Sequence, residues 1–174
     1  RALGVLAEKE TGTKKILLET STSDTPLIVT VGAETSTVTL PLSFFSQRNN
    51  ICHLPGISHT YTLDTIDKKI AKQILSDTGL INKKAAGVLS YKKLKKNTYS
   101  LSPFVWVNDI RTLYEETACA SGTFALAYML FKKEGLRKIA VHQVSGSTFQ
   151  VQLKADSISL TGPKGAAIRH SIIL

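Results

Sequence analysis

The side chain with the clearest capacity for chemistry in this sequence is the thiol of Cys119. It lies in the stretch TLYEETACASGTFALA, where small residues lead into an apolar run. We predict a helix from Thr123 to about Glu134, preceded by unpaired amides of Ala120, Ser121 and Gly122. Such amides and the helix dipole favour negative charge at that point. The pattern therefore predicts a lowered pKa for the Cys119 thiol and a site for a substrate carboxylate.

A thiolate in this position can remove a proton from an adjacent carbon. Racemisation needs a second group on the opposite face, because one base returning its own proton would restore the starting hand. A free cysteine before an apolar helix is otherwise a common core residue, and this is the interpretation we give to Cys52. Ser121 lacks the Gly-x-Ser-x-Gly context of a serine nucleophile.

An internal repeat indicates where the second group belongs. Residues 2–40 align with residues 125–160, and Gly12 falls on Gly135 at an offset of 123. Alternating apolar residues predict that each unit is one helix followed by three short strands. Cys119 precedes the second unit by six residues, so its counterpart is expected about five positions before Arg1, in an N-terminal segment of the same protein.

The elements that position this chemistry are predicted from periodicity. The second helix, which contains FALAYMLF, is apolar on every face and is therefore expected to be enclosed by a curved antiparallel sheet. Between the units we predict a helix from about Thr65 to Ser76 with Asp64 as its cap. Strands are predicted near Ile51–Leu54, Ser58–Leu63, Gly87–Tyr91 and Leu101–Val107. The predicted fold class is α+β, with two similar lobes that meet at a cleft.

Composition narrows the classes of function. The chain has 174 residues, of which 43% are apolar, and its longest apolar run is too short to cross a membrane. The two cysteines and four histidines show no metal-ligand spacing. Although the net charge is +9, the densest basic patch, YKKLKKN, lies between two strand-like runs without aromatics for base stacking. We expect a solvated hairpin there and no nucleic-acid partner. No export signal is visible, so a cytoplasmic location is expected.

Several motifs resemble the diaminopimelate epimerase superfamily. The segment Glu115–Gly122, EETACASG, resembles its second-cysteine motif, an acidic residue and Thr before Ala-Cys-Gly-[Ser/Thr]-Gly. Gly56–His59, GISH, is similar to its Gly-Asn-Pro-His, and SLTGPKGAA at 159–167 resembles its closing strand. Arg1–Leu3 resemble the helix that follows its first motif, Cys-Gly-Asn-Gly.

The resemblance implies a pseudo-symmetric two-lobed protein that needs no pyridoxal phosphate, no metal and no other cofactor. Two cysteines would act as base and acid across the α-carbon. Cys119 would be the catalytic residue of the second motif. The residues that it implies for substrate binding are His59, which would approach from a loop, Glu115, Glu116, Ala120, Ser121 and Gly122.

Departures from the motifs bear on the substrate. The family's Asn and Pro are Ile57 and Ser58 here, and the glutamate nine residues before the cysteine is Ile110. In the family these polar groups grip diaminopimelate, so another amino acid is expected as substrate. Overall the chain resembles the histidine racemases of this superfamily, so the resemblance implies histidine or another amino acid as substrate.

The expected organisation has three parts. Residues 1–42 are the remainder of a first lobe, residues 43–163 form a second lobe with the Cys119 motif, and residues 164–174 form a closing strand that returns to the first lobe. Because the second thiol is expected upstream, residues 1–174 alone are predicted to be inactive. The expected partners are an amino-acid substrate, the N-terminal segment and a second copy in a homodimer.

Two other functions stay open at this point. One is a noncatalytic relative that uses the same cleft to bind an amino acid. The other is a basic nucleic-acid-binding module, for which salt-dependent binding at Lys92–Lys96 would be the sign.

Overall fold

Runs of strands separate three α-helices in the computed structural model, which describes residues 2–20 and 23–164. Within these residues the helices are α1 (Ala2–Thr11), α2 (Lys68–Asp77) and α3 (Ala120–Glu134). The strands are β1 (Lys15–Thr20), β2 (Ser23–Val31), β3 (Thr35–Pro41), β4 (Ser46–Arg48), β5 (Ile51–Leu54), β6 (Ile57–Thr62), β7 (Ala85–Lys95), β8 (Thr98–Val107), β9 (Thr112–Glu115), β10 (Lys138–Gln143), β11 (Thr148–Leu153) and β12 (Ser157–Pro163). The predicted α+β class is confirmed.

All described strands belong to one mixed sheet. Its order is β1-β2-β3-β12-β11-β10-β8-β7-β6-β5-β4, and β9 pairs with the second half of β8. Most neighbours are antiparallel, but β6 pairs with β7, and β8 with β10, in parallel. Parallel neighbours need a crossover connection, and α2 and α3 lie in these two connections.

The repeat is visible in the order of the strands. Each unit is a helix followed by three strands, as predicted, and both helices end at a glycine with positive φ, Gly12 (69°) and Gly135 (70°). The two units join where β3 pairs with β12, and within this pairing Thr39 lies opposite Ser159. After small gaps in the alignment, Thr37–Leu40 fall on Ser157–Leu160. Thr39 and Ser159 are therefore equivalent in the repeat, and the junction has local pseudo-twofold symmetry.

The helix α3 is enclosed, as its apolar sequence predicted. It contacts β5, β6, β7, β10, β11 and β12. Phe124, Leu126 and Leu130 are all buried in the main core. A helix that is apolar on every face needs packing partners on every face, and the curved sheet supplies them. The sheet thereby fixes the position of Cys119, which lies at the N-terminus of this helix.

The helix α2 begins later than predicted. Its N-cap is Asp67, whose carboxylate accepts the Ile70 N–H at 2.7 Å, and the prediction of Asp64 as cap is wrong. The Asp64 carboxylate instead accepts from the Thr62 hydroxyl at 3.2 Å. Because a capping side chain must reach an amide two or three residues ahead, Asp67 is the residue in reach. The helix covers a second, smaller core that includes Trp106.

Lys92, Lys93, Lys95 and Lys96 are exposed at the end of the β7–β8 hairpin. The turn contains Asn97 at φ 55°, and the prediction of a solvated hairpin is confirmed. No helix in residues 2–20 or 23–164 is long and apolar enough to span a membrane. Apart from Lys164, which pairs with Glu8 at 3.1 Å, the predicted closing strand at 164–174 lies outside the described residues.

Candidate active site

Cys119 is the N-cap of α3. Its sulfur accepts the Gly122 N–H at 3.3 Å, and its carbonyl accepts the Thr123 N–H at 3.0 Å and the Thr123 hydroxyl at 2.6 Å. Helix α3 therefore starts at Ala120, three residues before the predicted start. A capping side chain normally offers an oxygen to this amide, and here a sulfur takes its place.

The prediction of a lowered thiol pKa is wrong. The residue is only 2% exposed. This burial is the largest cause that raises the pKa of the Cys119 thiol, the charge and side chain of Glu116 add to it, and the resulting pKa is about 12. The Ser121 hydroxyl and the Gly122 N–H act in the opposite direction but are weaker. The free-energy cost of removing a charged sulfur from water exceeds the stabilisation that these two hydrogen-bond donors supply. Cys119 is a neutral thiol near neutral pH.

Gln143, at the end of β10, holds the turn that carries Cys119. Its side-chain carbonyl accepts the Cys119 N–H at 3.0 Å, and its amide donates to the Thr123 hydroxyl at 3.0 Å and the Val141 carbonyl at 3.3 Å. The sequence analysis did not identify this residue. A signal was present, because Ile139, Val141 and Gln143 alternate along β10, which places a polar side chain on the buried face.

His59 lies within the strand β6. The prediction that this side chain approaches from a loop is therefore wrong. The side chain is fully buried, and its Nε2 is 3.1 Å from the Ser121 hydroxyl. That hydroxyl lies 3.5 Å from the Cys119 sulfur. The structure therefore brings His59, Ser121 and Cys119 into one hydrogen-bonded row.

The two neighbouring glutamates have different surroundings. Glu115 ends β9 and is exposed, and its carboxylate accepts the Ser102 hydroxyl at 3.0 Å. Glu116 is half-buried, and its carboxylate is near enough to Cys119 to raise the pKa of the thiol. Successive side chains in an extended segment point to opposite sides, so Glu116 is the member of the pair at the thiol.

Three backbone amides were predicted to bind a carboxylate. The N–H of Gly122 is occupied by the Cys119 sulfur. Ala120 and Ser121, the first two residues of α3, are half-buried. Their amides cannot be satisfied within the helix, because no carbonyl lies four residues earlier in it.

Three surface grooves lie in the described part of the chain, and Gln143, which accepts the Cys119 N–H, is among the residues that line the first of them. One, of about 250 Å³, is lined by Ser90, Lys92, Ser102 and His142. Two others, of about 200 and 460 Å³, lie beside Arg111 and beside α2. None of the three is lined by Cys119. In residues 2–20 and 23–164, no three His, Cys, Asp or Glu side chains are grouped so that they could hold a metal ion.

Comparison with known proteins finds similarity to a curated sequence and to solved structures, of which two are described below. No protein-family model matches the chain. The chain is 34% identical over 68 residues to a histidine racemase from Fusobacterium nucleatum. The matching segment covers 39% of this chain and 26% of that racemase. The match therefore spans about a quarter of the racemase's length.

Two of the similar solved structures are phenazine biosynthesis proteins. One, a PhzC/PhzF protein from Clostridium difficile strain 630, has a TM-score of 0.57 and 12% identity, over 93% of this chain and 67% of that one. The other, a PhzF-family protein from Enterococcus faecalis, has a TM-score of 0.54 and 14% identity, over 93% and 66%. Identities this low establish the fold alone, which is diaminopimelate epimerase-like, as expected from the motifs.

Proposed function

We propose that the full-length protein is an amino-acid racemase or epimerase that works without a cofactor, with Cys119 as one of its two acid/base groups. The observation that carries the proposal is the cysteine itself, set as the cap of an enclosed helix with two donors on its sulfur. The fold and the similarity to a histidine racemase support it. Histidine or another amino acid is proposed as substrate, in preference to diaminopimelate.

The raised pKa assigns Cys119 the role of acid at the start of a turnover. A base on the other face of the substrate takes the α-proton, and the electron pair left on carbon is delocalised into the carboxylate. The S–H bond of Cys119 then breaks, its proton bonds to the opposite face of the carbon, and the electron pair stays on sulfur. The Gly122 N–H and the Ser121 hydroxyl face the thiolate that results. In the reverse direction this thiolate is the base.

The substrate would be held at the mouth of α3. The amides of Ala120 and Ser121 are proposed to bind its carboxylate, aided by the helix dipole. Glu116 is proposed to accept from its ammonium group, because this glutamate is the one beside the thiol. Glu115, which is bonded to Ser102, is the weaker candidate for that role.

Access to the sulfur sets a condition on the proposal. Because Cys119 is 2% exposed and Ala118 beside it is exposed, the substrate must reach the thiol through the Ala118–Ser121 turn. The base on the opposite face is proposed to come from an N-terminal segment of the same protein, by the symmetry of the repeat. Residues 1–174 alone are therefore proposed to be inactive.

The direct test is interconversion of amino-acid enantiomers by the full-length protein. Histidine, diaminopimelate and the other common amino acids are incubated separately and analysed by chiral chromatography. We expect turnover of at least one amino acid, and a loss of about 10²- to 10⁴-fold in Cys119→Ser, the usual contribution of a positioned acid or base. Cys52→Ala, at the other buried cysteine, is the matched control and should keep its activity. Equal activity in Cys119→Ser and the wild type would refute the proposal.

A second function is favoured by one observation. A buried thiol with a pKa of about 12 also fits a noncatalytic protein that binds an amino acid at the same helix mouth. Such a protein would bind amino acids in calorimetry without interconverting any of them. Cys119→Ser would then bind as the wild type does.

A further inference from the structure

His59 occupies an unusual position for a polar side chain. It is fully buried in β6, and its ring packs against Gly87 of the paired strand β7, where a Cβ atom would collide with His59 Nδ1. Nδ1 has no hydrogen-bond partner, whereas Nε2 is 3.1 Å from the Ser121 hydroxyl. Because the ring has one polar contact, any influence of His59 on the neighbouring hydrogen bonds acts through the Ser121 hydroxyl.

The surroundings determine which ring nitrogen carries the proton. Burial lowers the pKa of His59 to about 3, so the ring is neutral and has one N–H. A proton on Nδ1 would be a buried donor without an acceptor, which is costlier than a buried lone pair without a donor. The neutral form with the proton on Nε2 is therefore favoured, and it donates to Ser121.

This direction orients the next hydrogen bond in the row. The Ser121 oxygen accepts from Nε2, so its own proton is free to point at the Cys119 sulfur, 3.5 Å away. The Gly122 N–H already donates to that sulfur at 3.3 Å. Glu116 is the charged group that faces the thiol, and it opposes ionisation. Two neutral hydrogen-bond donors therefore stabilise a thiolate at Cys119, and one negatively charged neighbour destabilises it.

We propose that His59 is a positioning residue, which fixes the Ser121 hydroxyl as a donor to the Cys119 sulfur and so stabilises the thiolate left after proton transfer. His59 does not need to touch the substrate for this. The hydrogen-bonded row stands on its own geometry, whereas its use in catalysis rests on the proposed racemase function. The two can therefore be tested apart.

The tautomer is tested first, without any substitution. The full-length protein is labelled with ¹⁵N-histidine, and the two ring nitrogens of His59 are assigned by comparison with His59→Gln. We expect a neutral ring with the proton on Nε2 from neutral pH down to the onset of acid unfolding. A proton on Nδ1, or a charged imidazolium near neutral pH, would overturn the proposal.

The effect on sulfur is tested by alkylation of Cys119. The rate with iodoacetamide is followed on the Cys119 peptide by mass spectrometry, at one pH below the thiol pKa, where the rate is proportional to the thiolate fraction. We expect Ser121→Ala and His59→Leu each to lower the rate about tenfold, the worth of one hydrogen bond to a charged group. The double variant should be no slower than Ser121→Ala, because both changes remove the same donor.

His59→Gln is the conservative variant, since its amide can donate near the position of Nε2. It should restore most of the rate lost in His59→Leu, which a purely structural role would not predict. An unchanged rate in His59→Leu, or effects of the two substitutions that multiply in the double variant, would overturn the proposal. Alkylation needs no turnover. The test of the hydrogen-bonded row therefore gives a result even if the full-length protein racemises no amino acid.

Discussion

At the scale of the residue, the Cys119 thiol is subject to opposing effects of unequal size. The helix N-terminus and the Ser121 hydroxyl lower its pKa, and burial and Glu116 raise it to about 12. The local sequence contains the first two influences, which is why it predicted a thiolate. Burial depends on strands distant in sequence, and it decides the outcome. A thiol that is protonated at rest fits the proposed role of Cys119 as the acid in proton transfer.

Gln143 is predicted to stabilise the site and the fold together. Gln143→Leu would leave the Cys119 N–H and the Thr123 side chain without their buried partner. We expect the free energy of unfolding to fall by about 1 to 3 kcal/mol, measured by urea denaturation. Gln150→Leu, at an exposed position on β11, should change it by less than about 0.5 kcal/mol. Equal effects of the two substitutions would contradict the role of Gln143.

His59 is predicted to make the fold sensitive to acid. Its folded-state pKa of about 3 lies below the ordinary value of 6.5, so the unfolded chain binds the proton first as the pH falls. Above pH 6.5 the ring is neutral in both states and the free energy of unfolding does not depend on it. As the pH falls from 6.5 toward 3, the free energy of unfolding decreases by about 1 kcal/mol per pH unit, because only the unfolded chain binds the proton. His59→Gln should flatten this dependence, in urea denaturation between pH 6.5 and about 5, above the carboxylate range. An identical slope in the variant would exclude His59 as the source.

At the scale of the element, the helices α2 and α3 begin in different ways. Helix α3 starts at a cysteine that caps its own third amide, whereas α2 starts at an ordinary aspartate cap. Both starts differ from the predicted ones, by three residues in each case. Apolar periodicity marks the body of a helix, but the first turn depends on which side chain reaches a free amide.

The cap of α2 provides a direct test of this assignment. Asp67→Ala should lower the free energy of unfolding by about 1 kcal/mol, because the Ile70 N–H loses its partner. Asp64→Ala, the cap predicted from sequence, is the matched control and should have the smaller effect. Thermal and urea unfolding of both variants measure the difference. A larger loss in Asp64→Ala would show that the helix starts earlier.

At the scale of the whole molecule, the repeat made much of the fold predictable. Alternating apolar residues predicted three strands in each unit, and the all-apolar run predicted the enclosed helix α3. The order of the sheet, in which β3 of the first unit pairs with β12 of the second, could not be obtained from local patterns, because pairing between the units joins residues that are far apart in the sequence. The same limit applies to the site, since His59 and Gln143 lie 62 and 24 residues from the residues they bind at α3.

The central claim is that Cys119 serves one face of the substrate carbon and a second group serves the other. Exchange of the α-hydrogen in deuterium oxide tests it most directly, measured separately for each enantiomer of the amino acid that the full-length protein turns over. In Cys119→Ser we predict that racemisation stops and that exchange is lost for one enantiomer but kept for the other, because the opposite base still acts on its own face. Exchange of both enantiomers at equal rates in that variant, or continued racemisation, would contradict the account.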